Sequence, residues 1–304
     1  MLVVACPGQG AQKPGFLNSF LESPSFRETV EAAGHACGID LVEHGTQSDE
    51  ETIKDTAVAQ PLLVASAIAT FNELFADDSL PQFVAGHSVG EIGAAVVAGI
   101  LSAEDGMKFV NVRAQGMAEA SNAQPTGMAA VVGGVAEDVI SAIEEAGLAP
   151  ANVNGGGQIV AAGSLEAIEK FVANPPERAR VIPLKVAGAF HTDYMKSAQA
   201  PLADMATGLE VQDPRISILS NRDGQTVQSG REYVDALVSQ VTSPVRWDLC
   251  QATLVEAGVT GLIELAPGGT LTGLAKRSMK GVETLAIKSA EDLEGAREFV
   301  RTHA

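Results

Sequence analysis

Residues 84 to 91, Val84-Ala85-Gly86-His87-Ser88-Val89-Gly90-Glu91, constrain this chain more than any other stretch. They set a G-x-S-x-G string directly after an apolar run with strand character, Gln82 to Ala85, and directly before an alanine-rich helix predicted over Ile92 to Ala98. A serine held on a sharp strand-to-helix turn sits in a strained conformation, and glycines two residues to either side remove the side chains that would collide there. The string alone is common, so its flanking strand and helix carry the argument. An ordinary serine capping a helix is the plain alternative.

Such an elbow needs a sheet to hold its strand. Apolar runs alternate with amphipathic segments almost throughout, the pattern of an α/β protein with a largely parallel sheet. Leu2 to Ala5 reads as a first buried strand, Pro61 as a first-turn residue of a helix running to about Phe75, and Ser102 with Asp105 as a capping box opening a helix to about Glu119. From Thr126 the texture changes to short β-rich runs alternating with one-face helices. Met128 to Val132, Ala151 to Asn154, Gln158 to Ala162 and Arg180 to Leu184 read as strands, with helices over Glu137 to Ala146 and Leu165 to Ala173. That β-α-β-β-α-β order is the ferredoxin-like unit. The expected architecture is an α/β-hydrolase-like large domain formed by residues 1–125 and 188–304, carrying the elbow, with an inserted ferredoxin-like small domain at 126–187.

Composition narrows the partners. The 304 residues carry a formal net charge of -18, which repels nucleic acid and anionic membrane surfaces. Cys6, Cys37 and Cys250 lie far apart with neither a Cys-x-x-Cys spacing nor His partners, so a reducing cytoplasmic compartment is expected, without disulfides or a metal site. The start of the chain lacks a basic lead, and the longest apolar stretches, near Pro61 to Phe71 and Gly93 to Leu101, are about half the ~20 residues that span a bilayer.

A serine nucleophile needs a base. Of five histidines, His303 is terminal, His35 and His44 lie in polar surroundings, and His87 adjoins the serine and must point elsewhere from the turn. His191 remains, directly after the small domain returns to the large one; a structural histidine is the competing reading. No acid between Ser88 and His191 falls at the end of a core strand: Glu91, Glu104, Asp105 and Glu119 belong to helices, and the rest to the small domain. A Ser-His dyad oriented by a main-chain carbonyl therefore fits better than a triad. Arg113 shares a helix face with Val110 and Met117, where a guanidinium must pair or snorkel. Its planar fork suits a carboxylate. A structural ion pair remains equally open at this point.

Together these residues resemble the malonyl-CoA:acyl carrier protein transacylase family of bacterial fatty acid synthesis, which includes polyketide synthase acyltransferase domains. The likeness covers essentially the whole chain. It runs through Pro7-Gly8-Gln9-Gly10-Ala11-Gln12, Gln60-Pro61, the Gly86 to Glu91 elbow, Arg113, Phe190-His191, Ser243-Pro244-Val245-Arg246-Trp247, and Pro267-Gly268-Gly269 with Leu271-Thr272-Gly273-Leu274. Ala266 departs from it, since many members carry Gly before the Pro-Gly turn.

The resemblance implies that Ser88 carries the acyl group and His191 is its base, held by the main-chain carbonyl of Gln240. It further implies an oxyanion hole from the N–H groups of Gln9 and Val89, Arg113 as the clamp for the malonyl carboxylate, and Gln60, Met117, Asn154 and Phe190 around the substrate. Phe190, in place of the Ser of methylmalonyl-preferring members, would fill the space of an α-methyl group. The implied activity transfers malonyl from coenzyme A to the phosphopantetheine thiol of holo acyl carrier protein, with no cofactor beyond the substrates. A serine thioesterase and a non-catalytic carrier-binding scaffold are the rival readings.

Overall fold

The computed structural model describes residues 1–75 and 80–304. Its strands in chain order are β1 (Leu2–Cys6), β2 (Phe83–Gly86), β3 (Thr126–Gly133), β4 (Ala149–Gly155), β5 (Gln158–Ser164), β6 (Ala179–Pro183), β7 (Ser217–Leu219), β8 (Thr226–Val227), β9 (Val245–Arg246), β10 (Gly261–Glu264) and β11 (Glu283–Ala286). Among the described residues they form two sheets, ordered β11-β10-β1-β2-β7-β8 and β6-β3-β5-β4-β9. The first is parallel from β11 to β7, with β8 antiparallel at its edge.

The parallel sheet is buried on both faces, which explains why β1 reads as an unbroken apolar run. Pleating divides its side chains. Leu2, Val4 and Cys6 enter the main core with Val84, Ile218 and Ile263, whereas Val3 and Ala5 pack with Ala85, Leu219, Leu262 and Trp247 on the opposite face. The C-terminal ends of adjacent β1 and β2 lead into Pro7–Gly10 and the Ser88 turn, the rim where ligands of open α/β sheets bind.

Two helix readings change. The helix expected to open at Pro61 begins at Thr56, because Asp55 accepts a bond from the Ala57 N–H at 2.8 Å and caps it earlier. Pro61 thus lies inside the Thr56–Leu74 helix and forgoes one ladder bond. At 19 residues this helix is long and apolar enough to cross a membrane, but it is buried along most of its length in the protein core. The Ala103–Asn122 helix does start at Ser102, whose Oγ accepts from the Asp105 N–H at 3.0 Å. Its hydroxyl also reaches the Asp105 carboxylate at 2.9 Å, an arrangement unlike the reciprocal main-chain bond of a full capping box.

In the second sheet β3 pairs antiparallel with β5 and β6, and β5 with β4. Alternation again assigns the faces: Ala129, Val131, Ile159 and Ala161 pack under the Ala136–Glu145 and Leu165–Ala173 helices with Val139, Ile143, Ile168 and Phe171. Met128, Ala130, Asn152 and Val160 face a cleft toward the parallel sheet. One strand comes from outside residues 126–187, because β9 joins β4 in parallel register. The Trp247–Glu256 helix that follows β9 reinforces this seam, where Gln251 Nε2 donates to the Asn154 carbonyl at 2.8 Å.

Candidate active site

Main-chain crowding explains the elbow's composition. A Cβ on Gly86 would stand 2.1 Å from the Gly90 carbonyl carbon, and one on Gly90 would stand 2.2 Å from the Cys6 carbonyl oxygen. Only glycine lets the turn close this tightly between β2 and the Gly90–Val97 helix. Ser88 takes a φ of 55°, the left-handed region that costs a residue with a Cβ, so the fold must hold it there. Asn221, just past β7, supplies the hold: its Oδ1 accepts from the Ser88 N–H at 2.8 Å and its Nδ2 donates to the Gly86 carbonyl at 2.7 Å.

Ser88 Oγ lies 2.7 Å from His191 Nε2, and His191 Nδ1 lies 2.9 Å from the Gln240 main-chain carbonyl. A carbonyl only accepts, so the proton of neutral His191 sits on Nδ1, leaving Nε2 to receive the serine hydroxyl hydrogen. Burial, followed by the neighbouring Arg113 charge, holds the imidazole pKa down at about 3. At neutral pH the ring is therefore uncharged and ready to take a proton. His87 points away, as its place on the turn requires, and its Nε2 meets Asn154 Oδ1 at 2.8 Å.

Arg113 is 1 % exposed yet forms no salt bridge among the described residues. Its Nη1 donates to Gln60 Oε1 and its Nη2 to Gln240 Oε1, both at 2.7 Å, and Nη2 also lies 3.3 Å from Ser88 Oγ. Burial lowers its pKa to about 10, against the opposing pull of Glu91, and it stays cationic at neutral pH. Among the described residues, the structural ion pair left open by the sequence is absent in its direct form. A buried cation instead stands beside Ser88, satisfied by neutral amides.

A cleft of about 220 Å³ opens above these groups. Gln9, Gln60, Ser88, Val89, Met117, Asn154, Phe190 and His191 line it, while Arg113 and Gln240 are buried next to these, with Arg113 Nη2 reaching Ser88 Oγ. The main-chain N–H groups of Gln9 and Val89 make no hydrogen bond among the described residues and can take a developing oxyanion. The side chains that line a larger groove of about 660 Å³, drawn from between Glu31 and Gln47, include neither serine nor cysteine, so volume alone does not select the reactive site. No cluster of three metal-ligating side chains occurs among the described residues. All three cysteines are buried and free, and burial pushes the Cys6 thiol up to about 12.

Sequence reasoning missed Asn221 and the part played by Glu91. Asn221 sits in Ser220-Asn221-Arg222-Asp223-Gly224, a string that signals only a turn. Glu91 belongs to the helix after the elbow, as expected, but it is 2 % exposed and accepts from the Asn221 N–H at 2.6 Å and from the Gln240 side chain.

Comparison with known proteins points the same way as this geometry. A model of the acyl transferase domain matches residues 3–302. A malonyl CoA-acyl carrier protein transacylase of Mycobacterium tuberculosis is 46 % identical over 297 residues, 97 % of this chain and 98 % of that one. One from Escherichia coli is 32 % identical over 301 residues, 96 % of this chain and 97 % of that one. The crystal structure of MCAT from Mycobacterium tuberculosis is similar to this fold with a TM-score of 0.94, covering 98 % of this chain and 99 % of that one at 46 % identity. A malonyl-transacylase in complex with its type II PKS acyl-carrier protein gives a TM-score of 0.91 at 31 % identity, covering 98 % and 99 %. Matched over residues 3–302 by that model and over 297 residues by a relative 46 % identical, the chain belongs to the acyl transferase domain family and is an acyltransferase.

Proposed function

We propose that this protein transfers malonyl from coenzyme A to the phosphopantetheine thiol of holo acyl carrier protein by a ping-pong cycle through a Ser88 ester. The carrying observation is the buried Arg113 guanidinium 3.3 Å from the oxygen of a serine that already touches a neutral base. A cation there is costly unless an anion uses it, and the malonyl carboxylate is the anion the reaction brings.

In the first half-reaction His191 Nε2 takes the Ser88 proton as Oγ attacks the thioester carbon. The resulting oxyanion rests on the N–H groups of Gln9 and Val89, each such donor contributing roughly 100- to 1000-fold in rate. The tetrahedral species collapses, the C–S bond breaks, and coenzyme A leaves with the proton from His191. In the second half-reaction the carrier thiol gives its proton to His191, sulfur attacks the ester carbon, and Ser88 departs reprotonated. The Gln240 carbonyl keeps the imidazole in the required tautomer throughout. Gln60 and Met117 shape the floor beside Arg113, Asn154 fixes His87, and Phe190 occupies the room an α-methyl substituent would need. The substrate carries its own activated thioester, so the residues supply proton transfer, positioning and electrostatics without a resident cofactor.

The proposed architecture behind this chemistry is an α/β-hydrolase-like large domain, 1–125 and 188–304, with a ferredoxin-like insertion at 126–187. The β6-β3-β5-β4 order of the smaller sheet supports the latter reading. Cytoplasmic placement belongs to the same reading and is supported by the three free thiols. Incubation with radioactive malonyl-CoA tests the function: a stoichiometric adduct on Ser88 that is stable in water and discharged by holo carrier protein is the expected result. Rapid hydrolysis of the adduct would mean a thioesterase, and the absence of labelling a binding protein.

A further inference from the structure

Arg113 and Glu91 are both buried, at 1 % and 2 % exposure, and both lie within a side chain's length of the nucleophile, yet they do not touch. Gln240 stands between them. Its Oε1 accepts from Arg113 at 2.7 Å, while its Nε2 donates to Glu91 Oε2 and to the Ser88 carbonyl, the latter at 3.2 Å. An amide has one accepting end and one donating end, and a guanidinium can only donate. The Arg113 contact therefore fixes Gln240 with its oxygen toward the clamp and its NH2 toward Glu91. At the far end Glu91 is fixed in turn, because its other oxygen faces the Asn221 main-chain N–H at 2.6 Å, and Asn221 holds the elbow through Ser88 and Gly86.

We propose that Glu91 is a positioning residue for substrate selection: acting through the Gln240 side chain, it carries the counter-charge of Arg113 and keeps the guanidinium aligned on the carboxylate of an acyl group bound to Ser88. An ionised carboxylate accepts at both oxygens, so it allows one orientation of the Gln240 amide. A glutamine at 91 can donate or accept and carries no charge, so the Gln240 amide is then oriented from its Arg113 end alone. Burial pushes Glu91 up to about 8, while its hydrogen-bond donors and the Arg113 charge pull it down, so the ionised form that this link needs predominates above that pH, where the rates are to be compared. The Gln240 main chain belongs to a separate task, since its carbonyl orients His191 whether or not the side chain is present.

This inference rests on the reading of Arg113 as the carboxylate clamp, and the experiment separates the two. Values of kcat/KM for malonyl-CoA and acetyl-CoA are measured for wild type, Arg113→Ala, Glu91→Gln, Gln240→Leu and the Glu91→Gln/Gln240→Leu pair. Glu91→Gln is expected to lower the malonyl-to-acetyl ratio roughly tenfold or more, the loss typical of a hydrogen bond to a charged group. Gln240→Leu should do the same, and the double variant should add nothing to Gln240→Leu, because the link runs through that amide. Glu91→Asp should recover part of the ratio. A purely structural Glu91 would slow both substrates alike and leave the ratio unchanged, which overturns the proposal. Should Glu91→Gln not fold, an unchanged ratio in Gln240→Leu overturns it just as well. A ratio that falls in Arg113→Ala but not in Glu91→Gln or Gln240→Leu removes only this inference, and one unchanged in Arg113→Ala removes the clamp with it.

Discussion

The reactive half of the cleft and its selective half are built from different materials. Apart from the Asn221 side chain that fastens the elbow, Ser88 and His191 are placed by main-chain atoms and by space that only glycine leaves open: the Gly86 and Gly90 approaches, positive φ angles of 55° and 61°, and the Gln240 carbonyl. Arg113 is placed by side-chain amides, Gln60 and Gln240, with Glu91 behind them. Main-chain constraints survive most substitutions of single side chains, whereas amide contacts can be lost one at a time. Such a division lets the chemistry persist while acyl preference changes.

The sharpest way to break the comparison is to delete the nucleophile. Ser88→Ala removes one oxygen without disturbing the main chain, so the fold should persist and acyl transfer should drop by roughly 10⁶-fold, as for other serine nucleophiles acting as part of a unit. Malonyl labelling checks it, and retained stoichiometric label would reject the assignment. His191→Ala should slow both half-reactions, by roughly 10² to 10⁴. Stopped-flow measurement of each step reads this, and a loss confined to the carrier step would demand another base.

On the selective side, Arg113→Ala should lower malonyl-CoA preference over acetyl-CoA by about one to two decades, with Arg113→Lys restoring part through charge without the fork. The same variant sharpens the contrast through pH. Arg113 helps hold the His191 pKa down, so its removal should let that pKa rise and move the acid limb of kcat/KM for acetyl-CoA to higher pH. Burial remains the leading cause and keeps the limb below the value of a free imidazole. An unmoved acid limb would show that the arginine charge does not reach the base.

The smallest expected effect lies farthest from the chemistry. An acidic carrier approaching a chain of net charge -18 needs a local cationic landing, and edge strand β6 presents exposed Arg180 with Arg178 and Lys185 beside Leu184 of the cleft. Lys276, Arg277 and Lys280 form a second candidate on and beyond the Thr270–Ser278 helix. Reversing Arg178 and Arg180 should weaken transfer to carrier protein a few-fold at low salt and spare free pantetheine. Equal loss with both acceptors would rule out docking there.

The contrast also explains what the sequence made legible. Strands and helices of the smaller sheet were readable to within a few residues because each is a local period: Leu165–Ala173 matched at both ends, and β6 was shifted by one residue. The elbow was readable because its glycines stand two residues to either side of Ser88, although the clash that Gly90 avoids is with Cys6, far back in the chain. Pro61 misled because its N–H deficit fits a first turn, while the Asp55 cap that sets the start lies six residues earlier. Asn221 and the Glu91 link stayed hidden because their partners are 133 and 149 positions away. Nothing local distinguishes a turn asparagine or a helix glutamate from one that fastens an active site.

One further consequence follows from the bond between His87 and Asn154. His87, the neighbour of Ser88, is pinned to β4, and that same strand is fastened by β9 and by Gln251 of the following helix, which packs through Trp247 and Cys250 against the larger sheet. Pulling the two walls apart would drag on the elbow itself, so the opening acts as a keyhole rather than a jaw. Cargo must enter end-on, as a slender thread delivered from outside, and the extended pantetheine arm that the proposed substrates share has that shape.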